Sequence, residues 1–151
     1  MQTEFKITRR LRELFSLYFE NYSLEQLNKI PEGFNNNLIW NIGHIIVSQQ
    51  SLVYKGSGLP ANVDEALFGM YARGTKPARD VTQAEADELK RLLISLTEKT
   101  EEDYGNGLFT TYNSRTSEMG FSLDTVADAI AFNNHHESLH LGIMMQMRKF
   151  L

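Results

Sequence analysis

The sequence contains no cysteine, so disulfides, thiolate metal sites and a cysteine nucleophile are all excluded. Any metal must therefore be held by imidazole and oxygen. A surplus of positive charge is also missing. The formal charge is −4 at pH 7 and no Lys/Arg cluster offsets it, which argues against a nucleic-acid or polyanion binder. No stretch approaches the roughly 18 uninterrupted apolar residues of a membrane span. The N-terminal "MQTEFKITRRLREL" lacks the apolar segment of a signal peptide. A soluble cytoplasmic protein with no membrane or nucleic-acid partner is expected. What is present suits one domain over residues 1–151, long enough to bury a core without covalent staples.

Apolar residues recur at helical spacing in four places. Leu11, Leu14, Phe15, Tyr18 and Tyr22 share one face of a first helix. A second starts near Asn36 or Asn37, residues suited to capping, and runs to about Tyr54, where "KGSGLP" stops it. The third carries the capping-box pattern Thr82-x-x-Glu85 ahead of Leu89, Leu92, Leu93 and Leu96. The fourth, with Ser122 as its expected cap, runs from Leu123 almost to the C-terminus. No strand pattern is evident. The pattern predicts an all-α fold, a four-helix bundle with two long connections. One of these, Lys55 to Val81, contains "DEALFGMYARG", which could form a short helix; the other runs from Tyr104 to Phe121. Long loops on a compact scaffold are places where pockets are built.

Three of the four histidines stand together in "HHESLH", His135 to His140. At about 100° per residue, Asp124, Asp128, His135, Gln146 and Lys149 fall on a solvated side of the last helix. His136 and His140 fall one turn apart on the opposite, apolar side, with Ala129, Phe132, Asn133, Leu139, Ile143 and Met147. Each could be a core histidine satisfied by a local hydrogen bond. Two with converging ring nitrogens equally suit a metal, because paired imidazoles in a core each need a polar partner. His44 lies on the second helix in a narrow polar strip of Asn37, Asn41, His44 and Ser48, which on its own reads as the solvent side. Beside His136 and His140, His44 becomes a candidate third ligand. Three imidazoles would leave coordination positions open for water or substrate.

His136-Glu137-Ser138-Leu139-His140 also spells the H-E-x-x-H signature of zinc peptidases. Such enzymes take a third ligand from downstream, yet the residues after His140, "LGIMMQMRKFL", include no His, Asp or Glu. No strand is available to hold an extended peptide. A zincin peptidase is excluded on both counts. Glu137 lies about 80° round the helix from the midpoint of the histidine pair, within reach of a base or acceptor role behind the ligands. A solvent-side carboxylate, paired with Arg148 or a neighbouring helix, fits the same position.

"NNLIWNIGHIIVSQQSLVY" resembles the N-terminal histidine motif of the DinB/YfiT-like superfamily, W-x-x-G-H followed by apolar residues. "HESLHLGIMMQMRKFL" resembles its C-terminal motif, H-E-x-x-H-x-G-x-x with a basic residue near the chain end. "KGSGLP" and "YARGTKP" between them look similar as well, so the resemblance spans nearly the whole chain. It implies a four-helix bundle of the DinB/YfiT-like type with His44, His136 and His140 as ligands to one divalent metal, commonly zinc or nickel. Gly43 and Gly142 match the family's glycines beside the ligands, where they would permit close helix approach. Relatives of this kind include metal-dependent enzymes that transfer low-molecular-weight thiols to electrophiles.

Two functions of different class follow. The leading one is a metal-dependent thiol S-transferase, or a hydrolase if water takes the open position, acting on a small-molecule substrate. Tyr71, Arg73, Tyr112 and Arg115 are the candidates for shaping its pocket. With a thiol as nucleophile, Glu137→Gln is expected to keep the metal and lose less than about tenfold in transfer. The other function is non-catalytic: a metal-binding helical bundle, or a homodimeric protein that binds a small apolar ligand. A fourth protein ligand at the metal would favour it, since structural zinc sites fill all four positions.

Overall fold

Four long helices carry the structure, a computed structural model that describes all of residues 1–151. α1 (Gln2–Asn21) buries Phe5, Thr8, Leu11, Arg12, Phe15 and Tyr18, a stripe at steps of three and four. A short α2 (Leu24–Asn28) follows, started by a capping box between Ser23 and Gln26. α3 (Leu38–Gln49) starts where Asn37 accepts a hydrogen bond from the Trp40 N–H at 2.8 Å. It continues through a π-helical turn at Gln50–Tyr54 and a 3-10 turn at Lys55–Ser57, and ends at Gly58. Gly58 has φ +73°, the left-handed conformation that glycine adopts without strain.

The expected short helix forms as α4 (Glu65–Tyr71), capped by Asp64. α5 (Gln83–Gly105) begins at the Thr82/Glu85 capping box read from the sequence. α6 (Val126–Met147) begins later than expected. Its cap is Thr125, in a capping box with Asp128, and not Ser122. Ser122 and Leu123 are extended instead. They form β2, which pairs antiparallel with β1 (Arg115–Thr116). Strands of two residues are too short to show an alternating pattern, which is why the sequence carries no signal for them.

α1 and α3 each pack against both α5 and α6, and α4 lies on α3. α3 is the central element. Every residue in it except Ser48 is buried. Leu38, Ile42, Ile45 and Ile46 are fully enclosed, and each such side chain contributes about 1.5–3 kcal/mol by leaving water. A smaller cluster of Phe5, Leu52, Val53, Tyr54, Leu123 and Ile130 includes the inward residue of β2. The Lys55–Val81 connection is tied down by buried polar side chains. Asn28 exchanges two hydrogen bonds with the backbone of Val81, and Gln50 accepts from the Asn62 N–H. No helix is long and apolar enough to cross a membrane.

Candidate metal centre

The polar strip of α3 faces inward. Asn37, Asn41 and His44 are buried, so the solvent-side reading of this strip is overturned. α3 has neighbours all round it, and of its polar residues His44 meets α4 and Asn41 meets α6. His44 stands opposite His136 and His140 of α6, and one ring nitrogen from each lies within 4.8 Å of the other two.

Two of the three rings are positioned by what their remaining nitrogen touches. The His44 Nδ1–H donates to the Tyr71 carbonyl at 2.7 Å, which turns Nε2 towards the cluster. Trp40 stacks on the same ring, with centroids 4.7 Å apart and planes 9° from parallel. The His140 Nδ1–H donates to Asn41 Oδ1 at 2.8 Å. Asn41 cannot turn over, because its amide N–H groups donate to Asn36 Oδ1 and the Asn37 carbonyl. A partner behind each of these two imidazoles fixes its tautomer and raises its basicity as a ligand.

His136 is the ring in conflict. Its Nε2 lies 3.2 Å from the Nε2 of His140, and its buried Nδ1 has no hydrogen-bond partner. A proton on Nδ1 leaves two lone pairs facing one another. A proton on Nε2 leaves the Nδ1 lone pair buried without a donor, also at a cost. A cation between the Nε2 atoms removes the first conflict. Two nitrogens about 2.0–2.1 Å from one tetrahedral metal stand about 3.3–3.4 Å apart, close to the spacing found. The donor set thus fits a divalent transition metal. No carboxylate belongs to the cluster, so three protein ligands leave a position open.

Burial holds all three rings neutral, the form that binds metal. It depresses His140 to about 3 and His136 to about 4, with the neighbouring histidines adding to both. His44 is also lowered by burial, against the Tyr71 hydrogen bond, with the Arg73 charge lowering it further.

The three rings line a cleft of about 670 Å³. Val47, Leu52, Phe68, Met119, Leu123 and Phe132 make its walls apolar, while Ser48, Ser51 and Thr116 supply hydroxyls. Of the four residues expected to shape a pocket, Arg73 and Arg115 line this cleft. Tyr71 and Tyr112 do not. Tyr71 is buried against α3, and its ring occupies the space a side chain at Gly43 would need. Tyr112 covers Gly56 and donates its hydroxyl to the Leu52 carbonyl.

Glu137 is completely buried and not a solvent-side carboxylate. It accepts from the Arg12 Nη2 and Nε at 2.6 and 3.0 Å, and from Asn133 Nδ2 at 2.6 Å. His135 is exposed, as its place on the helix predicts, beside the rings of Phe121 and Phe132. Leu139 and Ile143, expected on the buried face, are 44% and 42% exposed; Ile130, Asn134, Glu137 and Met144 are buried in their stead. Helix α6 is apolar on several sides, so its spacing alone did not say which side points in. Gly43 does permit a close approach, but by Tyr71 of α4. At Gly142 nothing lies within 4 Å of where a Cβ would stand, so no helix approaches there.

The residues that sequence reasoning missed are those behind the ligands. Asn41 was visible as a polar residue three positions before His44. Arg12 carried a signal too, a charge inside the apolar arc of α1. The Tyr71 contribution is a backbone carbonyl, which no side-chain pattern reports. Among comparisons with known proteins, a family model described as the DinB superfamily matches residues 7–144. No curated protein matches the chain.

Proposed function

The chain belongs to the DinB superfamily, and from that premise we propose that it is a metal-dependent enzyme of the thiol S-transferase type. His44, His136 and His140 hold one divalent transition metal, zinc or nickel. The nucleophile is a low-molecular-weight thiol that is transferred to an electrophilic small molecule, with water and hydrolysis as the alternative. The observation that carries this reading is the convergence of three imidazoles, without a carboxylate, on the wall of an open cleft. A purely structural metal site would have filled its fourth position from the protein.

The metal, when bound, supplies acidity to a coordinated thiol or water at neutral pH. The protein supplies the rest. The Tyr71 carbonyl and Asn41 fix the orientation of His44 and His140, so the ligand set is organised before any ligand arrives. The Ser48 hydroxyl, 3.3 Å from His44 Nε2, lines the cleft and offers a donor or acceptor to a group bound there. Phe68, Leu123 and Phe132 keep the surroundings apolar, which strengthens charge interactions in the cleft. Glu137 has both oxygens committed to Arg12 and Asn133, so it acts by holding α6 against α1 and takes no proton from substrate. The cytoplasm, with its reduced thiols, is the compartment that suits this chemistry.

Metal analysis of purified protein, followed by a thiol-plus-electrophile screen, tests the proposal. Wild type should carry close to one equivalent of a divalent transition metal. His44→Ala and His140→Ala should lose it, and His135→Ala should not. Full metal content in both ligand variants would end the three-histidine reading. Metal-loaded protein that consumes neither thiol nor electrophile across the screen would end the transferase reading.

A further inference from the structure

Arg73, from the loop after α4, and Arg115, in β1, line the same cleft as the three histidines. The only other side chain there that carries a charge at neutral pH is Glu118, and it already forms an ion pair with Arg73. Arg115 has no carboxylate partner. In a chain of net charge −4, the cleft therefore carries a local excess of positive charge. An isolated surface arginine is ordinary, but two on separate elements at one apolar-walled opening are arranged for an anion. Guanidinium groups match carboxylate geometry with paired N–H donors.

We propose that Arg73 and Arg115 recognise a carboxylate on the small molecule that enters the cleft, and that Glu118 holds the place of that carboxylate until it arrives. Glu118 lies between β1 and β2, in the turn of the hairpin, and both it and Arg73 are largely exposed, so exchange of one carboxylate for another needs no opening of the core. The ligand's charged end then sits at the arginines while its body reaches the apolar wall and the histidines. This deepens the proposed function, on which it rests for the identity of the reacting end. The arginine subsite itself is separable from it.

Calorimetric titration with succinate, a dicarboxylate without a thiol, tests the subsite on protein as purified and again after chelation. Wild type should bind succinate saturably in both forms. Arg73→Met and Arg115→Met should each weaken binding about tenfold, as loss of a charge-assisted contact at an exposed site implies. Glu118→Gln should tighten it, since the competing carboxylate is gone. Absence of saturable binding, or unchanged binding in both arginine variants, overturns the proposal. Weaker binding by Glu118→Gln overturns the place-holding role, and inorganic phosphate binding tighter than succinate overturns the carboxylate assignment. His140→Ala separates the two readings. It should lose metal yet keep succinate binding after chelation, whereas failure of the metal reading alone would leave the arginine dependence in place.

Discussion

Arg12 on α1 and Glu137 on α6 form a two-bonded ion pair with side-chain exposures of 1% and 0%. Arg12 Nη2 also reaches the Ile45 carbonyl of α3, so one guanidinium joins three helices. The pair explains why a glutamate stands between two candidate ligands without joining them.

Glu137→Gln should therefore act first on stability. It leaves the Arg12 charge buried with no counter-charge, and breaking such a pair costs about 3–5 kcal/mol. Urea unfolding should show that loss, while the double variant Arg12→Met/Glu137→Leu should recover most of it because neither charge remains. Folded Glu137→Gln should still bind metal. A variant of undiminished stability that loses all turnover would restore a proton-transfer role to Glu137, contrary to the geometry.

Gly43→Ala and Gly142→Ala should diverge, although the two positions look alike in sequence. A Cβ at Gly43 would land in the ring of Tyr71. Overpacking of this kind costs about 1–3 kcal/mol. It also displaces the residue whose carbonyl orients His44, so metal affinity should fall with thermal stability. At Gly142 the added methyl meets open space in the middle of α6, where alanine is favoured over glycine by about 0.5–1 kcal/mol. Melting temperatures that move together would contradict the packing at Tyr71.

Asn41→Ala should weaken metal binding by about 10- to 100-fold, the range for losing a hydrogen bond behind a metal-bound imidazole. The His140 ring would lose its acceptor at Nδ1 while its own position in α6 stays unchanged. Competition with a chelator measures this. Affinity equal to wild type would mean that packing alone orients His140.

The four long helices were legible because α1 and α5 bury a stripe at helical spacing, α3 and α6 are long apolar runs, and two of the four announce their starts. Asn37 and the Thr82/Glu85 box cap where their residue types predict. Ser122 did not, because Thr125 three residues later completes a capping box with Asp128 at its third position, whereas the third position after Ser122 is Thr125 itself. The histidine trio was legible from two helical faces read together. Which way those faces point was less so. A narrow polar strip on α3 is compatible with solvent or with a buried site, and only the packing of α4 and α6 decides between them. The Arg12–Glu137 pair joins residues 125 positions apart, a pairing that no local pattern encodes.

Acid should destabilise the metal-free protein through the same histidines that bind metal. Their ordinary value is 6.5, and the folded chain depresses His136 to about 4 and His140 to about 3, chiefly by burial. Between those values and 6.5 the unfolded chain binds protons that the folded chain refuses. The stability associated with the neutral rings is therefore fully present above about pH 6.5, is lost progressively below it, and is gone only once the folded rings titrate. His140→Asn should flatten that part of the profile. The depressed values also lower the pH at which protons begin to compete with the metal. Since the folded rings stay neutral in mild acid, metal content should hold at about pH 6 and fall only towards pH 4. Dialysis across this range with metal analysis at each step checks it. Half-release at or above about pH 6, with metal content steady from about pH 7 to pH 8, would contradict the depressed values of His136 and His140.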